Sequence, residues 1–262
     1  MDKARDWFRP MARAGYASRG LIYLVIGAFA ALAAVGSGET MGSRDALETL
    51  LSTGFGGVVA YALVAGLAFY AVWRFIQSGF DTDDHGTDAK GLAIRGGLAV
   101  SGITYLALAF YTFSRARGAS GGEGGGGLAD TVAGFVGASL TAAVLAAVLA
   151  GAGVAHVVKA WRKGYRKHIE ADEAKYRLID PIARTGLVAR GAVFFILAFL
   201  LARRALSGGG GGEAGSQQAL DYVQSLPAGG LLLAAMGVGL VAFALYSFIE
   251  AVYRRINVED AG

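Results

Sequence analysis

The sequence contains no cysteine, three prolines among 262 residues, and few charged side chains. Without cysteine, disulfide bonds and thiolate metal sites are excluded. Charged residues make up 17% of the chain, whereas soluble domains usually contain about 25%. Apolar residues make up 55%, and the mean hydropathy is positive. This balance argues against a soluble globular domain and directs attention to long apolar segments.

Six apolar segments are long enough, alone or with flanking residues, to cross a bilayer. They cover residues 20–35, 56–76, 96–113, 132–158, 187–202 and 229–249. About 20 apolar residues in a helix span the hydrocarbon core, a length that the second, fourth and sixth segments reach unaided. The other three are shorter, so we expect their helices to extend back into the arginine-containing residues before them. The charged stripe of a surface helix is missing from all six. The sequence therefore predicts an all-α membrane protein with six transmembrane helices.

The basic residues are distributed unevenly between the two sides of this arrangement. Six spans place both termini on one side, which carries 19 Lys and Arg residues against 5 on the other. Because basic residues concentrate in cytoplasmic segments, we expect both termini to be cytoplasmic. The basic start and the small residues at 31–34 also resemble a signal peptide. The segments at 96–113 and 187–202 correspond to the first span and are internal, so they cannot be signal peptides. We therefore expect the first span to be a retained transmembrane helix.

The sequence repeats itself three times. Raising residue numbers by 82 superposes the first third on the second without a gap, and raising them by 171 and then 173 superposes the first third on the last. Gly15 thereby falls on Gly97 and Gly186. Parallel units of this kind predict a six-helix bundle with a pseudo-threefold axis along the membrane normal. The three predicted units, each a two-helix hairpin, are residues 12–80, 91–163 and 182–256.

Related motifs open the first and last units. ARAGYASRG at 12–20 and ARTGLVARG at 183–191 share the pattern A-R-x-G-x-x-x-R-G, and the last unit ends in GLVAFALYSFIEA at 239–251. With the three hairpins, these motifs resemble the DUF1206 family, prokaryotic membrane proteins described as a pair of transmembrane helices occurring three times. The middle unit departs by placing Ser101 where the second arginine should stand. The resemblance implies the fold and the cytoplasmic (inner) membrane of a prokaryote, and it implies no activity.

The arginines of these motifs define the first candidate site. Arg190 lies six residues beyond Arg184 toward the membrane, which is about 9 Å along a helix, and Arg19 lies likewise beyond Arg13. A cation at such depth needs a partner or marks a functional site. In the middle unit, which lacks the inner arginine, the second helix supplies Lys159.

Three interpretations of this basic layer are open. It could contact the phosphates of anionic phospholipids at the cytoplasmic face, form structural ion pairs between helices, or bind an anionic solute or substrate. We expect Glu250, the one acid able to neutralise a layer cation directly, to pair with Arg190. The candidate layer comprises Arg13, Arg19, Arg95, Lys159, Arg184 and Arg190.

A second candidate set consists of three repeat-related acids on the opposite side: Glu48, Asp130 and Asp221. Three carboxylates around a threefold axis could hold a cation. In the simpler interpretation, these acids favour the starts of short outer helices or pair with the outer arginines. The clearest of those short amphipathic segments are 46–51 and 219–224.

The motifs of enzymes are missing from the sequence. Residues 122–127 match G-x-G-x-x-G only because they belong to a glycine run, and they follow no strand. The histidines, at 85, 156 and 168, form no zinc spacing with each other. The acidic loop at 81–88 is loosely spaced like a calcium loop but lacks the distal glutamate, so we interpret it as a solvated cytoplasmic loop. We expect no enzyme, no cofactor and no metal.

Two functional classes follow from these observations. The first is a polytopic protein with a structural, lipid-interacting or accessory role, in contact with membrane lipids and not with nucleic acid. The alternative is a small solute transporter or channel that uses the basic cytoplasmic layer. A transporter needs a polar cavity near the middle of the bilayer. The first class predicts a middle packed with Ala, Gly and Leu, with polar groups only at the two faces.

Overall fold

The apolar segments form helices, because a backbone in lipid must satisfy its hydrogen bonds within its own segment. A computed structural model describes residues 2–35, 40, 48–49, 52, 56–117, 137–207 and 216–256. The helices of the described residues are α1 (Asp2–Ala34), α2 (Gly56–Phe80), α3 (Ala89–Ala116), α4 (Ala138–Trp161), α5 (Glu173–Leu206), α6 (Ser216–Gln224) and α7 (Gly229–Tyr253).

All six long helices are long and apolar enough to cross a membrane. The predicted all-α, six-span membrane protein is therefore confirmed. The first span begins at Arg9 and the fifth at Glu173, so both helices extend back through the motif arginines as expected. The segment predicted at 219–224 lies within α6. Of the segment predicted at 46–51, the described residues are Glu48 and Thr49, and both are helical.

The helices pack in a definite order. The most extensive contacts join α1 to α7, α4 to α5, and α2 to α3. Each of these pairs joins the second helix of one predicted unit to the first helix of another. Smaller contacts join α1 to α2 and α5 to α7, whereas α3 and α4 contact each other little. The described helices thus form a ring that is open between α3 and α4. The three-unit repeat stays a prediction, which this order accommodates.

The contact between α1 and α7 depends on glycine. A Cβ atom on Gly27 would lie 2.7 Å from the backbone nitrogen of Val241, and one on Gly237 would lie 2.6 Å from that of Ala31. Such distances leave no room for a side chain, so the two backbones approach closely at this crossing. The first and last helices are thereby held side by side.

The loops on the side of the termini are joined to one another. Ile169 forms an isolated antiparallel bridge with Arg254, and the backbone nitrogen of Arg255 donates to the carbonyl of His168 at 2.8 Å. Asp88 caps the start of α3 by accepting a hydrogen bond from the Gly91 nitrogen at 2.8 Å. We call this side the terminal face, formed by residues 81–88, 162–172 and 254–256.

Candidate functional site

Arg19 lies inside the bundle and is fully paired. Its Nε donates to Ser247 Oγ at 3.1 Å, its Nη1 to Tyr70 OH at 2.5 Å, and its Nη2 to Glu250 Oε2 at 2.5 Å. The guanidinium also lies about 5 Å from the rings of Tyr16, Tyr70 and Phe243. With only 4% of the residue exposed, these contacts replace the water that the charge has lost.

Glu250 is the acceptor at the centre of this network, and it pairs with Arg19. The expected pair with Arg190 is wrong. Glu250 Oε1 also accepts from Arg254 Nη1 at 2.8 Å and from Tyr246 OH at 2.9 Å, and it lies 4.0 Å from Lys159 Nζ. The cause is the packing of α1 on α7, which places the first inner arginine against the last helix.

The network continues through Arg254 to the terminal face. Arg254 Nη2 donates to Asp83 Oδ2 at 3.0 Å, and Gln77 Nε2 donates to the same oxygen at 2.7 Å. Burial alone would raise the pKa of Asp83, but nearby positive charges, Arg254 first and Arg74 among the others, together hold that pKa below its ordinary value. The interpretation of 81–88 as a solvated loop is therefore wrong for Asp83, whose side chain is only 11% exposed.

His168 lies beside this pair on the terminal face. Its Nδ1 is 3.4 Å from Asp83 Oδ1. Burial lowers the pKa of His168 to about 3, and the positive charge of Arg254 adds to that effect. The imidazole is therefore neutral near pH 7, and the positive charge that Asp83 faces comes first from Arg254, with a smaller contribution from Arg74.

Arg190 has a different environment from Arg19. Its guanidinium lies over the rings of Tyr23 at 4.6 Å, Phe243 at 4.6 Å and Phe194 at 5.1 Å. Its Nε and Nη1 are buried and have no hydrogen-bond partner among the described residues. Aromatic faces offset part of the cost of burying this charge, but no carboxylate of the described chain neutralises it.

The predicted repeat explains this difference. Arg19 of α1 packs against α7, where the counterpart of Lys159 is Glu250. Helix α5, which carries Arg190, packs against α4, where the same position carries Lys159. The position that supplies an acid to Arg19 therefore supplies no acid to α5.

The interior charges do not balance. Among the described residues of the bundle interior there are five cations and two carboxylates, Asp83 and Glu250. The cations are Arg19, Arg74, Lys159, Arg190 and Arg254. Of these, Arg74 donates to Tyr70 OH and to Gln77 Oε1 at 2.9 Å and forms no salt bridge with an acid of the described chain. A positive excess in a medium of low dielectric constant favours the binding of an anion.

The remaining residues of the predicted layer do not join this network. Arg13 and Arg184 are exposed. Arg95 donates from Nε to the carbonyl of Ser78 at 2.7 Å and from Nη2 to that of Gly79 at 2.9 Å, so it caps the end of α2. The structure thus places Arg19, Lys159 and Arg190 inside the bundle. Arg13 and Arg184 lie at its surface, and Arg95 is half-buried at the end of α2.

The predicted outer carboxylates have separate partners. Glu48 accepts from Tyr111 OH at 2.7 Å and lies 3.2 Å from Arg115 Nη2. Asp221 accepts a hydrogen bond from Thr40 Oγ1. Asp130 lies outside the described residues. For Glu48 the structure shows the simpler interpretation, a pair with an outer arginine.

The interior differs from the expectation of polar groups only at the two faces. Arg190 lies within the span Glu173–Arg203, six residues beyond Arg184, and Arg19 lies ten residues inside the span that begins at Arg9. The middle is packed, but with aromatic rings and two arginines and not with Ala, Gly and Leu alone. His156 was expected to be satisfied locally, and its Nδ1 lies 2.8 Å from the carbonyl of Ala152.

The sequence prediction missed Arg254 and Asp83. One signal for Arg254 was available, because Arg254 follows Glu250 by four residues and so lies on the same helix face. No local signal marks Asp83, whose partner is 171 residues away in sequence.

The chain resembles a family of unknown function and a bacterial protein. The family model described as Domain of Unknown Function (DUF1206) matches residues 14–81 and 185–254, more than half of the chain. The two regions differ by 171 residues at their starts and 173 at their ends, the offsets that superpose the first and last thirds of the sequence. A protein of Bacillus subtilis (strain 168), described as Uncharacterized protein YxxB, is 25% identical over 265 residues, covering 98% of this chain and 95% of the relative. No solved structure matches.

Proposed function

Because the chain belongs to the DUF1206 family, whose description assigns no function, we propose from its residues that it is a non-enzymatic lipid-binding protein of a prokaryotic cytoplasmic membrane. The group it binds is the phosphate of an anionic phospholipid. The binding residues are Arg190 and Lys159, and both chain termini lie on the cytoplasmic side. The observation that carries this proposal is that the buried Nε and Nη1 of Arg190 have no hydrogen-bond partner among the described residues.

The chemistry of the two cations suits a phosphate. Arginine offers several donors in a planar fork that matches phosphate oxygens, and lysine adds a compact charge. Arg190 lies over Phe243 and Lys159 over Tyr246, and the centroids of these two rings are 6.1 Å apart. A single phosphate group bound by both cations would supply Arg190 with the negative charge that no carboxylate of the described chain gives it, and would share Lys159 with Glu250.

Structural ion pairing explains Arg19 but does not explain Arg190. Arg19 already has a carboxylate, a hydroxyl and a phenol as partners. An arginine kept only for packing would cost free energy for each unpaired buried donor. Anion binding therefore accounts better for the second arginine.

Native mass spectrometry of the purified full-length protein tests the headgroup site. The probe is phosphatidylglycerol, with phosphatidylcholine of the same chains for comparison. We expect phosphatidylglycerol to bind preferentially, and Arg190→Gln to weaken it about tenfold, because the substitution removes charge-assisted hydrogen bonds. The control is Arg177→Gln, which removes one charge from an exposed position of the same helix. Equal weakening by both variants would show a nonspecific charge effect and overturn the proposal.

The same site could take its phosphate from a solute, which is the transporter alternative. Inorganic phosphate added to the mixture distinguishes the two sources. A lipid site loses little phosphatidylglycerol to millimolar inorganic phosphate. Displacement of the lipid, together with phosphate uptake into proteoliposomes, would replace the lipid-binding proposal with the transporter.

The absence of native cysteine permits a direct test of orientation. Asp84→Cys lies on the terminal face and Ser207→Cys at the opposite end of α5, and both residues are exposed. In intact cells, a membrane-impermeant maleimide is expected to label Ser207→Cys and to leave Asp84→Cys unlabelled until the cells are opened. The reverse pattern would place the termini outside.

A further inference from the structure

We infer that an anionic phospholipid enters the bundle sideways, through the opening between α3 and α4, and lays one acyl chain along the exposed inner face of α4. This rests on the proposed headgroup site and adds the route and the position of the chain. The opening belongs to the middle unit, the one that departs from the motif pattern by carrying Ser101.

The inner face of α4 is exposed where its counterparts are buried. Leu145 is 37% exposed, whereas its counterpart Leu63 in α2 is 3% exposed. The Lys159 side chain is 33% exposed, and its counterparts Gln77 and Glu250 are 0% and 2% exposed. The face that packs against a neighbouring helix in the first and last units therefore has no such neighbour among the described residues here.

The facing side of α3 shows the same opening. A Cβ on Gly15 would lie 2.5 Å from Tyr70 Cβ, and one on Gly186 would lie 2.5 Å from Phe243 Cα. A Cβ on Gly97, their counterpart, would have no atom of another helix within 4 Å among the described residues. The corresponding residue of α4 is Ala152, which stands where Tyr70 and Phe243 stand in the other units. The backbone of α4 does not approach Gly97 as those of α2 and α7 approach Gly15 and Gly186, and this leaves a lateral cleft beside Gly97.

The cleft has the polarity of a phospholipid. Lys159 lies near the end of α4 that adjoins the terminal face, and the residues from Leu145 to Ala155 on the same face are apolar. Leu145 and Lys159 are 14 residues apart, about 21 Å along a helix, which exceeds the roughly 15 Å half-thickness of a bilayer core. A headgroup at Lys159 would therefore leave room for an acyl chain along α4.

Arg190 lies beside the same part of α4. Its guanidinium lies 5.1 Å from the ring of Phe194, and that ring meets His156 of α4 edge-on with centroids 5.2 Å apart. Arg190 therefore borders the segment of α4 that leads from the apolar cleft to Lys159, which gives an entering headgroup two cations.

A second copy of this chain fits the opening less well than a lipid does. Neither α3 nor α4 contains an aspartate or glutamate, so a copy docking through the same face would bring no charge to balance Lys159 and Arg190. An anionic lipid brings both the charge and the apolar chain.

The test is photo-crosslinking of the full-length protein in nanodiscs. The probe is phosphatidylglycerol with a diazirine in the middle of one acyl chain, and phosphatidylcholine with the same chain is the comparison. We expect phosphatidylglycerol to label residues 97–104 and 145–155 several-fold more than phosphatidylcholine, while both label outward-facing positions equally. Gly97→Phe, which fills the cleft, is expected to reduce that labelling about tenfold, the change that corresponds to 1.4 kcal/mol.

A matched control and separate outcomes keep the two proposals distinguishable. Gly79→Phe adds the same ring at a glycine of α2 that also has nothing within 4 Å, and it should leave the labelling unchanged. The sideways route is wrong if phosphatidylglycerol labels the cleft residues of Gly97→Phe as strongly as those of the unaltered protein. It is also wrong if phosphatidylglycerol and phosphatidylcholine label the cleft equally. If phosphatidylglycerol still binds preferentially in those cases, the headgroup site stands. Crosslinks between two protein chains through residues 97–104 would assign the cleft to a second copy.

Discussion

Glu250 binds Arg19 through a 2.5 Å hydrogen bond between Glu250 Oε2 and Arg19 Nη2, joining the last helix of the chain to the first. Both residues are buried, at 2% and 4% exposure. The other oxygen of the carboxylate binds Arg254. A charge removed from this group leaves its partners buried without compensation, so the stability of the bundle should depend on it.

Glu250→Gln is expected to destabilise the protein by about 3–5 kcal/mol, the usual cost of breaking a buried ion pair. Glutamine keeps the shape of the side chain and removes the charge that Arg19 and Arg254 share. The measurement is equilibrium unfolding in detergent micelles, followed by the fluorescence of the three tryptophans.

Glu173→Gln is the matched control for this substitution. Glu173 lies 3.2 Å from Arg166 Nη1, but its side chain is 82% exposed. Exposed pairs contribute at most about 1 kcal/mol, so we expect a small change. Similar losses from the two variants would contradict a structural role for the buried pair.

Gly15→Ala and Gly97→Ala are expected to have opposite effects, although the two glycines hold the same place in the predicted repeat. A Cβ at Gly15 would lie 2.5 Å from Tyr70 Cβ and 2.7 Å from Tyr70 Cα, so overpacking should cost about 1–3 kcal/mol. Gly97 has open space around it, and alanine favours a helix over glycine by about 1 kcal/mol. Unfolding of both variants under one condition measures the contrast. A loss at Gly97 as large as at Gly15 would mean that the cleft beside α3 is filled.

The helices could be predicted from the sequence because each depends on local information. Apolar length defines a span, and the short runs after Arg19 and Arg190 required both arginines to lie within helices. The depth of Arg190 was readable for the same reason. These features need no knowledge of which helices are neighbours.

The partners of those arginines could not be predicted locally. Whether Glu250 pairs with Arg19 or Arg190 depends on which helices are neighbours. That is decided by close approaches between backbones, such as the one between Gly27 of α1 and Val241 of α7. The buried pair of Asp83 and Arg254 has the same cause. The opening beside Gly97 could not be predicted either, because the contacts missing there are to backbone and Cβ atoms, which Ala152 has as much as Tyr70 and Phe243 do.

The stability of the protein is expected to fall as the pH drops from about 6.5 toward 4.5, because of His168. In the folded protein burial lowers the pKa of His168 to about 3 from its ordinary value of 6.5. Between these values the unfolded chain binds a proton that the folded protein does not, so unfolding is favoured as the pH falls. Unfolding free energies measured at several pH values test this. Carboxylates such as Asp83 begin to contribute only below about pH 4.

His168→Gln is the comparison that isolates this residue. Glutamine does not titrate, so the variant should show a flatter dependence between pH 6.5 and 4.5. Burial also lowers the pKa of His85, which acts in the same direction and remains in both proteins. Parallel curves for the two proteins would contradict a neutral, buried His168.

Arg19→Gln and Arg190→Gln are expected to separate the structural arginine from the ligand-binding one. Arg19→Gln removes the partner of Glu250 and should destabilise the bundle by about 3–5 kcal/mol, with Arg19→Lys as a milder variant if the protein does not fold. Arg190→Gln removes an unpaired buried charge, so the stability in detergent alone should be unchanged or higher. Added phosphatidylglycerol should stabilise the unaltered protein and Arg19→Lys, since a ligand that binds only the folded state raises its stability. It should leave Arg190→Gln unaffected. A loss of stability in Arg190→Gln that matches Arg19→Gln, with the lipid response intact, would make Arg190 a packing residue and move the lipid site elsewhere.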